Sequence, residues 1–187
     1  MAATIRIMRL TGANDLVGSA NPLYTNITSA STRMSTSDAA APGTTNPIPT
    51  PTTGSNYSFW VVTQLYSACA PDNSITNIKW YTDGTNTFGT GTGLWVATAS
   101  GYVVAAGTAG SSGTLLSVAN YATLDSGGAS TAFQYTSNAA SKLAVAGSIA
   151  NTTGCFGSRV VFQLRVDTTG VAGNSGEETL TFTADEA

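Results

Sequence analysis

The chain of 187 residues contains no histidine, and charged residues make up only 9% of it. The absence of histidine removes the commonest general base and the commonest zinc ligand. A Ser-His-Asp or Cys-His catalytic group therefore cannot form within this chain. A pair of carboxylates is the hydrolytic route that needs no histidine. Most of the ten acidic residues lie in predicted turns or near residue 187, so we do not expect an enzyme.

The charge balance argues against nucleic acid as a partner, and the lack of a long apolar run argues against a membrane. Seven basic and ten acidic residues give a net charge of −3, and the basic residues are scattered along the sequence. No apolar run approaches the ~20 residues that a membrane helix needs. At the N-terminus, apolar residues alternate with arginines, which is not the pattern of a signal peptide. We therefore expect the chain to be made in a cytoplasm.

The sequence offers little for metal binding. The loop from Asp83 to Asn86 contains a single carboxylate, whereas calcium loops usually supply several, so we expect no metal or other cofactor. The chain has two cysteines, Cys69 and Cys155, which lie too far apart in the sequence for a CxxC site. We expect two small buried or half-buried thiols. A disulfide stays open, because sequence cannot show that the two sulfurs meet.

Because charged residues are few, most of the polar residues are uncharged, and threonine, serine, asparagine and glycine are abundant. Apolar residues make up 42% of the chain. This composition is typical of an all-β protein with many turns. The strongest predicted strand, residues 57–67, is apolar on both faces, so both faces should be covered. We assign one face to the core: Phe59, Val61 and Leu65. The other face should lie beneath an N-terminal arm or a neighbouring subunit: Trp60, Val62 and Tyr66.

Alternation of apolar and polar residues predicts further strands. We expect residues 94–99 to form a hairpin with 102–106, and residues 159–167 to pair with 178–183, with Gln163 on the polar face. Residues 114–122 suit a short helix or a turn. The other predicted strands are 4–10, 75–81, 132–136 and 143–149. Eight to ten short strands predict an antiparallel β-sandwich of jelly-roll or Ig-like type.

Residues 11–55 break this pattern and hold five of the six prolines. The run NPIPTP at residues 46–51 favours extended backbone with few internal hydrogen bonds. We expect a long extended arm that is ordered by contact with its own sandwich or with an adjacent chain; a flexible linker is the alternative. The predicted organisation is an N-terminal strand with a Pro-rich arm (1–55) followed by a β-sandwich domain (56–187).

Three segments carry a resemblance to a known group of proteins. They are TTNPIP at residues 44–49, NIKWYTDG at 77–84 and ETLTF at 178–182. With these segments the chain resembles structural proteins of tailed-phage and prophage virions, and among them capsid decoration, or cement, proteins. The resemblance implies a non-enzymatic protein on the outer capsid surface, a homo-oligomer and by preference a trimer, with an arm that binds the major capsid protein.

The sequence leaves two other functions open. One is a tail or neck component of the virion. The other is a carbohydrate-binding or adhesion module on the particle surface, because exposed aromatic rings can stack on sugars. Of Trp60, Trp80 and Trp95, we expect at least two in the core. The residues that we expect at the arm or subunit interface are Ile5, Ile7, Tyr24, Ile27, Ile48, Trp60, Val62 and Tyr66.

Overall fold

A computed structural model describes residues 3–12, 22–30, 32–125, 127–171 and 176–186. Of these residues 40% lie in strands and 4% in helices, which confirms the all-β prediction. Two single-turn 3-10 helices cover Ala132–Gln134 and Ala139–Ser141. Within the described ranges the strands are β1 (Ile5–Thr11), β2 (Leu23–Asn26), β3 (Ser55–Tyr57), β4 (Val61–Ser67), β5 (Ser74–Tyr81), β6 (Thr92–Ala99), β7 (Gly107–Thr108), β8 (Ser112–Gly113), β9 (Ser130–Thr131), β10 (Leu143–Ala144), β11 (Ile149–Ala150), β12 (Gly154–Asp167) and β13 (Thr181–Glu186).

The strands form two main antiparallel sheets. The large sheet has the order β2-β1-β4-β12-β6-β9, and β3 also pairs with β12. In the small sheet β13 pairs along one edge of β5, while β10 and β11 share the other edge. Strands β7 and β8 form a separate two-stranded ribbon. This arrangement is consistent with the predicted antiparallel, sandwich-like fold.

Two predicted strand pairings are wrong. Strand β6 pairs with β12 and β9, while residues 102–106 form no strand. Strand β13 pairs with β5 in the small sheet and not with β12. The chain also crosses from the large to the small sheet between β4 and β5, so this connection is an arch and not a hairpin. Alternation places a strand and its faces, but it carries no information about the partner strand.

A first core fills the space between the two sheets. Its centre is Trp80 of β5, which is 0% exposed. The Trp80 ring stacks on Phe162 of β12 at 6.2 Å between ring centroids, and Tyr135 meets its edge at 6.4 Å. The other buried members come from both sheets and their connections: Val61, Leu65, Ile75, Ile78, Leu94, Val96, Ala132, Val145, Ile149, Phe156 and Val160.

A second core lies on the opposite face of the large sheet, beneath residues 102–124, which we call the cover segment. Here Trp60 packs on Tyr121, with ring centroids 5.1 Å apart. The remaining buried members are Leu10, Val62, Ala97, Ala99, Tyr102, Leu116, Leu124 and Val161. The prediction that both faces of residues 57–67 are covered is therefore confirmed, but the cover over Trp60 is this segment and not the arm.

Strand β12 runs through the middle of the large sheet and is buried on both sides. The sequence places Gln163 on a polar, outward face, which is wrong, because its side chain is 0% exposed. The Gln163 Nε2 atom donates to the carbonyls of Ser58 (2.8 Å) and Thr114 (2.7 Å). The Gln163 Oε1 atom accepts the N–H of Leu116 at 2.7 Å. These bonds fasten the cover segment to the sheet.

Several short elements differ from the prediction. The predicted strand at 132–136 is a 3-10 turn that follows β9, and the predicted strand at 143–149 is split into β10 and β11. The predicted strand at 57–67 is interrupted at residues 58–60, between β3 and β4. Residues 114–122 were predicted to form a short helix or a turn, and they form turns. In these turns the Tyr121 N–H donates to the Ser117 carbonyl at 2.7 Å. Two-residue strands have no periodicity from which to predict them.

Part of the N-terminal region is built into the fold. Strand β1 lies between β2 and β4, and Ser35 and Thr36 are buried. The Phe59 N–H donates to the Ser35 carbonyl at 2.8 Å, and Gly110 N–H donates to the Thr36 hydroxyl at 2.6 Å. A long arm that reaches another chain stays a prediction. None of the described helices has the length and apolar character needed to cross a membrane.

Candidate functional site

One side of the sandwich carries an open groove between β1 of the large sheet and β13 of the small sheet. The cavity has a volume of about 280 Å³. We call it the lateral groove, and its lining residues are Ile5, Ile7, Thr28, Leu65, Phe182, Thr183 and Ala184. Two of the residues that the sequence assigns to an interface, Ile5 and Ile7, therefore lie in the same concave surface.

The register of β1 explains why its isoleucines face the groove. Ile7 stands opposite Leu65 of β4 and therefore shares its inward face. The Ile7 N–H donates to the Thr28 hydroxyl at 2.8 Å, and the Ile7 carbonyl accepts the N–H of Ile27 at 2.8 Å. Thr28 is itself held by the Asn26 side chain, whose Oδ1 accepts the hydroxyl at 2.7 Å. One wall of the groove is thus fixed by hydrogen bonds that continue past β2.

The other wall depends on a bulge in the small sheet. Between the pairs Lys79–Thr183 and Thr76–Asp185, two residues of β5 stand opposite Ala184. Asn77 lies within this bulge with φ +50, in the left-handed region that asparagine tolerates better than most residues. Its Nδ2 donates to Asp185 Oδ2 at 2.7 Å. The bulge therefore sets the position of β13, whose Thr183 and Ala184 line the groove.

The far side of the sandwich is joined by direct contacts. Strand β12 bulges between Phe156 and Val160. The extra residues of this bulge reach the connection between β10 and β11 in the small sheet. Ser158 N–H donates to the Ala146 carbonyl at 2.7 Å, and Val145 N–H donates to the Ile78 carbonyl at 3.0 Å. The first bond links the two sheets on that side, and the second holds the segment after β10 against β5 within the small sheet. The β1–β13 side keeps its groove.

The strand next to the groove exposes apolar side chains. All four residues of β2 are exposed, with Leu23 at 70% and Tyr24 at 40%. Within the described residues, neither the outer edge of β2 nor that of β13 pairs with a further strand. An unpaired strand edge with exposed apolar residues is a surface on which another chain can add a strand.

A buried polar cluster fixes residues 32–40 against β1. Arg9 is 1% exposed and donates through Nη1 to the Thr32 hydroxyl and to the Ala40 carbonyl. Burial lowers the pKa of Arg9 to about 10, although Asp38 opposes this shift. Asp38 accepts the N–H of Gly12 at 2.8 Å. Burial raises the pKa of the Asp38 carboxyl, against the effects of that hydrogen bond and of Arg9.

The other predicted interface residues are dispersed. Tyr24 lies on exposed β2, and Ile27 is half-buried beside Ile7. Ile48 is half-buried in the Pro-rich stretch, and Tyr66 is half-buried near the end of β4. Trp60 and Val62 lie in the second core, where the cover segment of the same chain already occupies the surface predicted for the arm or a neighbouring subunit.

Sequence reasoning missed part of the groove. Phe182 packs against the first core, and its place beside β1 depends on the pairing of β13 with β5, which the sequence did not predict. Leu23 begins β2 and Thr28 follows this strand, and four residues are too few for a periodic signal. The only available signal was the apolar pair Leu23 and Tyr24 in an otherwise polar stretch.

The residues considered for metal binding and disulfides have other roles. Asp83 Oδ1 accepts the Thr85 N–H at 2.8 Å and Asn86 Oδ1 accepts the Phe88 N–H at 3.1 Å, as in ordinary Asx turns. Within the described ranges, no three Asp, Glu or Cys side chains cluster as metal ligands. Cys69 and Cys155 are free and exposed, so the prediction of two buried or half-buried thiols is wrong.

We compared the chain with protein-family models, with curated proteins and with solved structures, and none of the three comparisons gave a match.

Proposed function

We propose that the chain is a non-enzymatic structural protein of a phage virion, a decoration protein that binds the outside of the head and stabilises the shell. The open side of the sandwich is the observation that carries this proposal. The lateral groove and the exposed edge of β2 lie side by side on it. Residues 44–49, 77–84 and 178–182 resemble segments of phage virion proteins. This resemblance suggests that the open side binds another protein within a virion.

The occupant to which we commit is an extended segment of the major capsid protein. Such a segment adds backbone hydrogen bonds to an edge strand and places alternate side chains in the groove. The groove walls are uncharged, so an apolar segment buries there without desolvating charge. The proposed trimer places three such sides around a symmetry axis of the shell.

The test is sedimentation of the purified protein with heads that lack it, and in parallel with isolated tails. The informative variant is Leu23→Lys, because Leu23 is 70% exposed and its replacement costs little stability. A matched control is Leu115→Lys, which changes a 45% exposed leucine on the cover segment. We expect binding to heads, weakened about 10-fold or more by Leu23→Lys, which corresponds to about 1.4 kcal/mol.

Leu115→Lys should bind heads as the unchanged protein does. Sedimentation with tails and not with heads would replace the decoration role by the tail or neck role. Binding to neither particle, in a protein with an unchanged thermal midpoint, would refute the virion function. Equal loss in both lysine variants would show that binding does not use the β1–β13 side.

A further inference from the structure

A second concave site lies on the outer face of the large sheet, beyond the cover segment. Its volume is about 170 Å³. We call it the Trp95 cleft, and its lining residues are Gly91, Thr92, Gly93, Leu94, Trp95, Thr131, Arg165 and Asp167. In the register of β6 and β12, Gly93 stands opposite Arg165 and Trp95 opposite Gln163. The cleft therefore opens where Gly93 leaves a gap in a row of side chains.

Gly93 has no structural reason to be glycine. It lies inside β6 and its φ is not in the left-handed region. A Cβ atom built on Gly93 would meet nothing within 4 Å, so crowding does not exclude a side chain. Glycine inside a strand weakens it and often marks the close approach of a ligand. Neighbouring Gly91 differs, because its φ is +71 and a Cβ there would collide with the turn at residues 167–170.

Trp95 gives the cleft an apolar wall. It is half-buried, whereas Trp60 and Trp80 are fully buried in the two cores. An indole ring carries negative charge on its face, which attracts the weakly positive C–H bonds of a ligand that packs on it. Trp95 stands opposite Thr131 of β9, which also lines the cleft and has a hydroxyl group.

Two oppositely charged side chains are held in place at the other end of the cleft. Arg165 donates through Nε to the Ser55 hydroxyl at 2.8 Å. Asp167 Oδ1 accepts the N–H of Thr169 at 2.8 Å and its hydroxyl at 2.7 Å. These bonds hold the pKa of Asp167 below its usual value, so the carboxylate is ionised at neutral pH. In the described part of the chain, the Arg165 Nη groups and Asp167 Oδ2 have no hydrogen-bond partner.

We infer that the Trp95 cleft binds a single neutral sugar ring. Because Arg165 and Asp167 cancel in charge, neither an anion nor a cation is favoured there. Adjacent hydroxyls of a sugar both donate and accept, so they match a carboxylate beside a guanidinium, while the C–H face of the ring packs on Trp95. A cleft of about 170 Å³ is smaller than the ~300 to 1,000 Å³ of pockets for drug-sized ligands, which suits one ring and not a chain.

This sugar site goes beyond the structural function proposed above and does not depend on it. It lies on the face of β6 and β12, away from the lateral groove between β1 and β13. A decoration protein with such a site would present a weak sugar contact at the particle surface. Many copies on one particle would raise the effective affinity through multivalency.

The test uses the full chain labelled with ¹⁵N, in which the three tryptophans give separate indole N–H signals. The probes are the methyl glycosides of glucose, galactose, mannose, rhamnose and N-acetylglucosamine. Each is added to about 100 mM, because a single-ring site binds with a dissociation constant on the order of millimolar. We expect at least one sugar to shift the Trp95 signal in a saturable way and to leave the signals of buried Trp60 and Trp80 in place.

Gly93→Val fills the cleft with a residue that suits a strand. We expect it to weaken sugar binding about 10-fold or more at an unchanged thermal midpoint. Arg165→Gln, which keeps a polar side chain, provides the second variant should Gly93→Val fold poorly, and it should weaken binding similarly. Leu115→Ser on the cover segment is the control and should bind as the unchanged protein does.

Three results would overturn the sugar site. The first is the absence of any Trp95 shift with all five glycosides. The second is a shift that Gly93→Val and Arg165→Gln both leave intact. The third is an equal shift with sodium sulfate or with tetramethylammonium chloride, which would mean that the cleft recognises charge and not a sugar ring. Failure of head binding has no bearing on any of these readings.

Discussion

Gln163 of β12 joins the large sheet to the cover segment through its side-chain amide. Its amide satisfies two carbonyls and one N–H, and the three partners belong to residues 58, 114 and 116. In Gln163→Leu, these three buried backbone groups lose their partner. An unsatisfied buried polar group costs about 1 to 3 kcal/mol, so we expect the free energy of unfolding to fall by about 3 kcal/mol or more.

Urea unfolding monitored by tryptophan fluorescence measures this loss. Gln134→Leu is the control, because Gln134 is exposed and its replacement should change the free energy of unfolding by less than about 0.5 kcal/mol. If the free energy of unfolding of Gln163→Leu falls by less than about 1 kcal/mol, water must reach the three backbone groups. The cover segment would then not be fastened to the sheet as described.

Asp38 makes stability depend on pH in the direction opposite to most carboxylates. Burial raises its pKa in the folded protein above that in the unfolded chain. Between these two pKa values the folded state therefore binds more protons, and its stability falls as the pH rises through the folded pKa. Asp38→Asn keeps an oxygen acceptor for the Gly12 N–H and removes the titration.

We expect Asp38→Asn to match the unchanged protein below the unfolded pKa and to become the more stable of the two as the pH rises above the folded pKa. Urea unfolding at a series of pH values from 3 to 7 gives the difference between the two proteins. A difference that moves the other way would mean that the Gly12 hydrogen bond and Arg9 together lower the pKa of Asp38 more than burial raises it.

At the scale of the elements, the bulge in β12 depends on Gly157. This residue has φ +71, and a Cβ atom on it would lie 2.9 Å from Cδ1 of Ile78. Gly127 has φ +72 but nothing within 4 Å of an added Cβ, so it is a control matched in backbone conformation. Both alanine variants carry the left-handed cost of about 1 to 2 kcal/mol.

Gly157→Ala should lower the free energy of unfolding by about 1 kcal/mol more than Gly127→Ala does, because Ile78 is buried in the first core and has little room to move. Thermal and urea unfolding of the two variants give this difference. Equal losses would mean that Ile78 shifts without cost and that the contact between bulge and small sheet is loose.

The longer strands could be predicted from the sequence, whereas their partners could not. Alternation over six or more residues located β1, β4, β5, β6 and β12, with strand ends up to five residues from the predicted ones. It also identified Ile5 and Ile7, which line the lateral groove. Alternation does not show whether a polar residue such as Gln163 will be covered, nor which strand lies beside β13. The Trp95 cleft could not be predicted from the sequence either, because Gly93 and Arg165 become neighbours only through the pairing of β6 with β12.

At the scale of the whole molecule, the region predicted as strand and arm contributes to the fold itself. Strand β1 covers the edge of β4, Leu10 is buried in the second core, and Arg9 is buried with residues 32–40. Deletion of residues 2–50 removes all of these at once. We expect the truncated chain to lose cooperative unfolding, because the total stability of a domain is only about 5 to 15 kcal/mol.

Circular dichroism during heating and amide exchange test the truncated chain against the full chain. A truncated chain with the same transition midpoint would mean that residues 2–50 are a detachable arm. The head-binding test therefore uses single substitutions on exposed positions and not this deletion, since an unfolded protein would also fail to bind.

The central place of β12 has a consequence for how the chain leaves the ribosome. Thr63 of β4 bonds to Val160 of β12 across 97 residues, and β12 also separates β4 from β6. Synthesis at about 5 to 20 residues per second leaves β4 and β6 without their common neighbour for several seconds. Nascent chains on crowded polysomes thus display open strand edges during this interval, when they can pair with one another. Slower initiation or added chaperone should therefore raise the soluble yield of the chain.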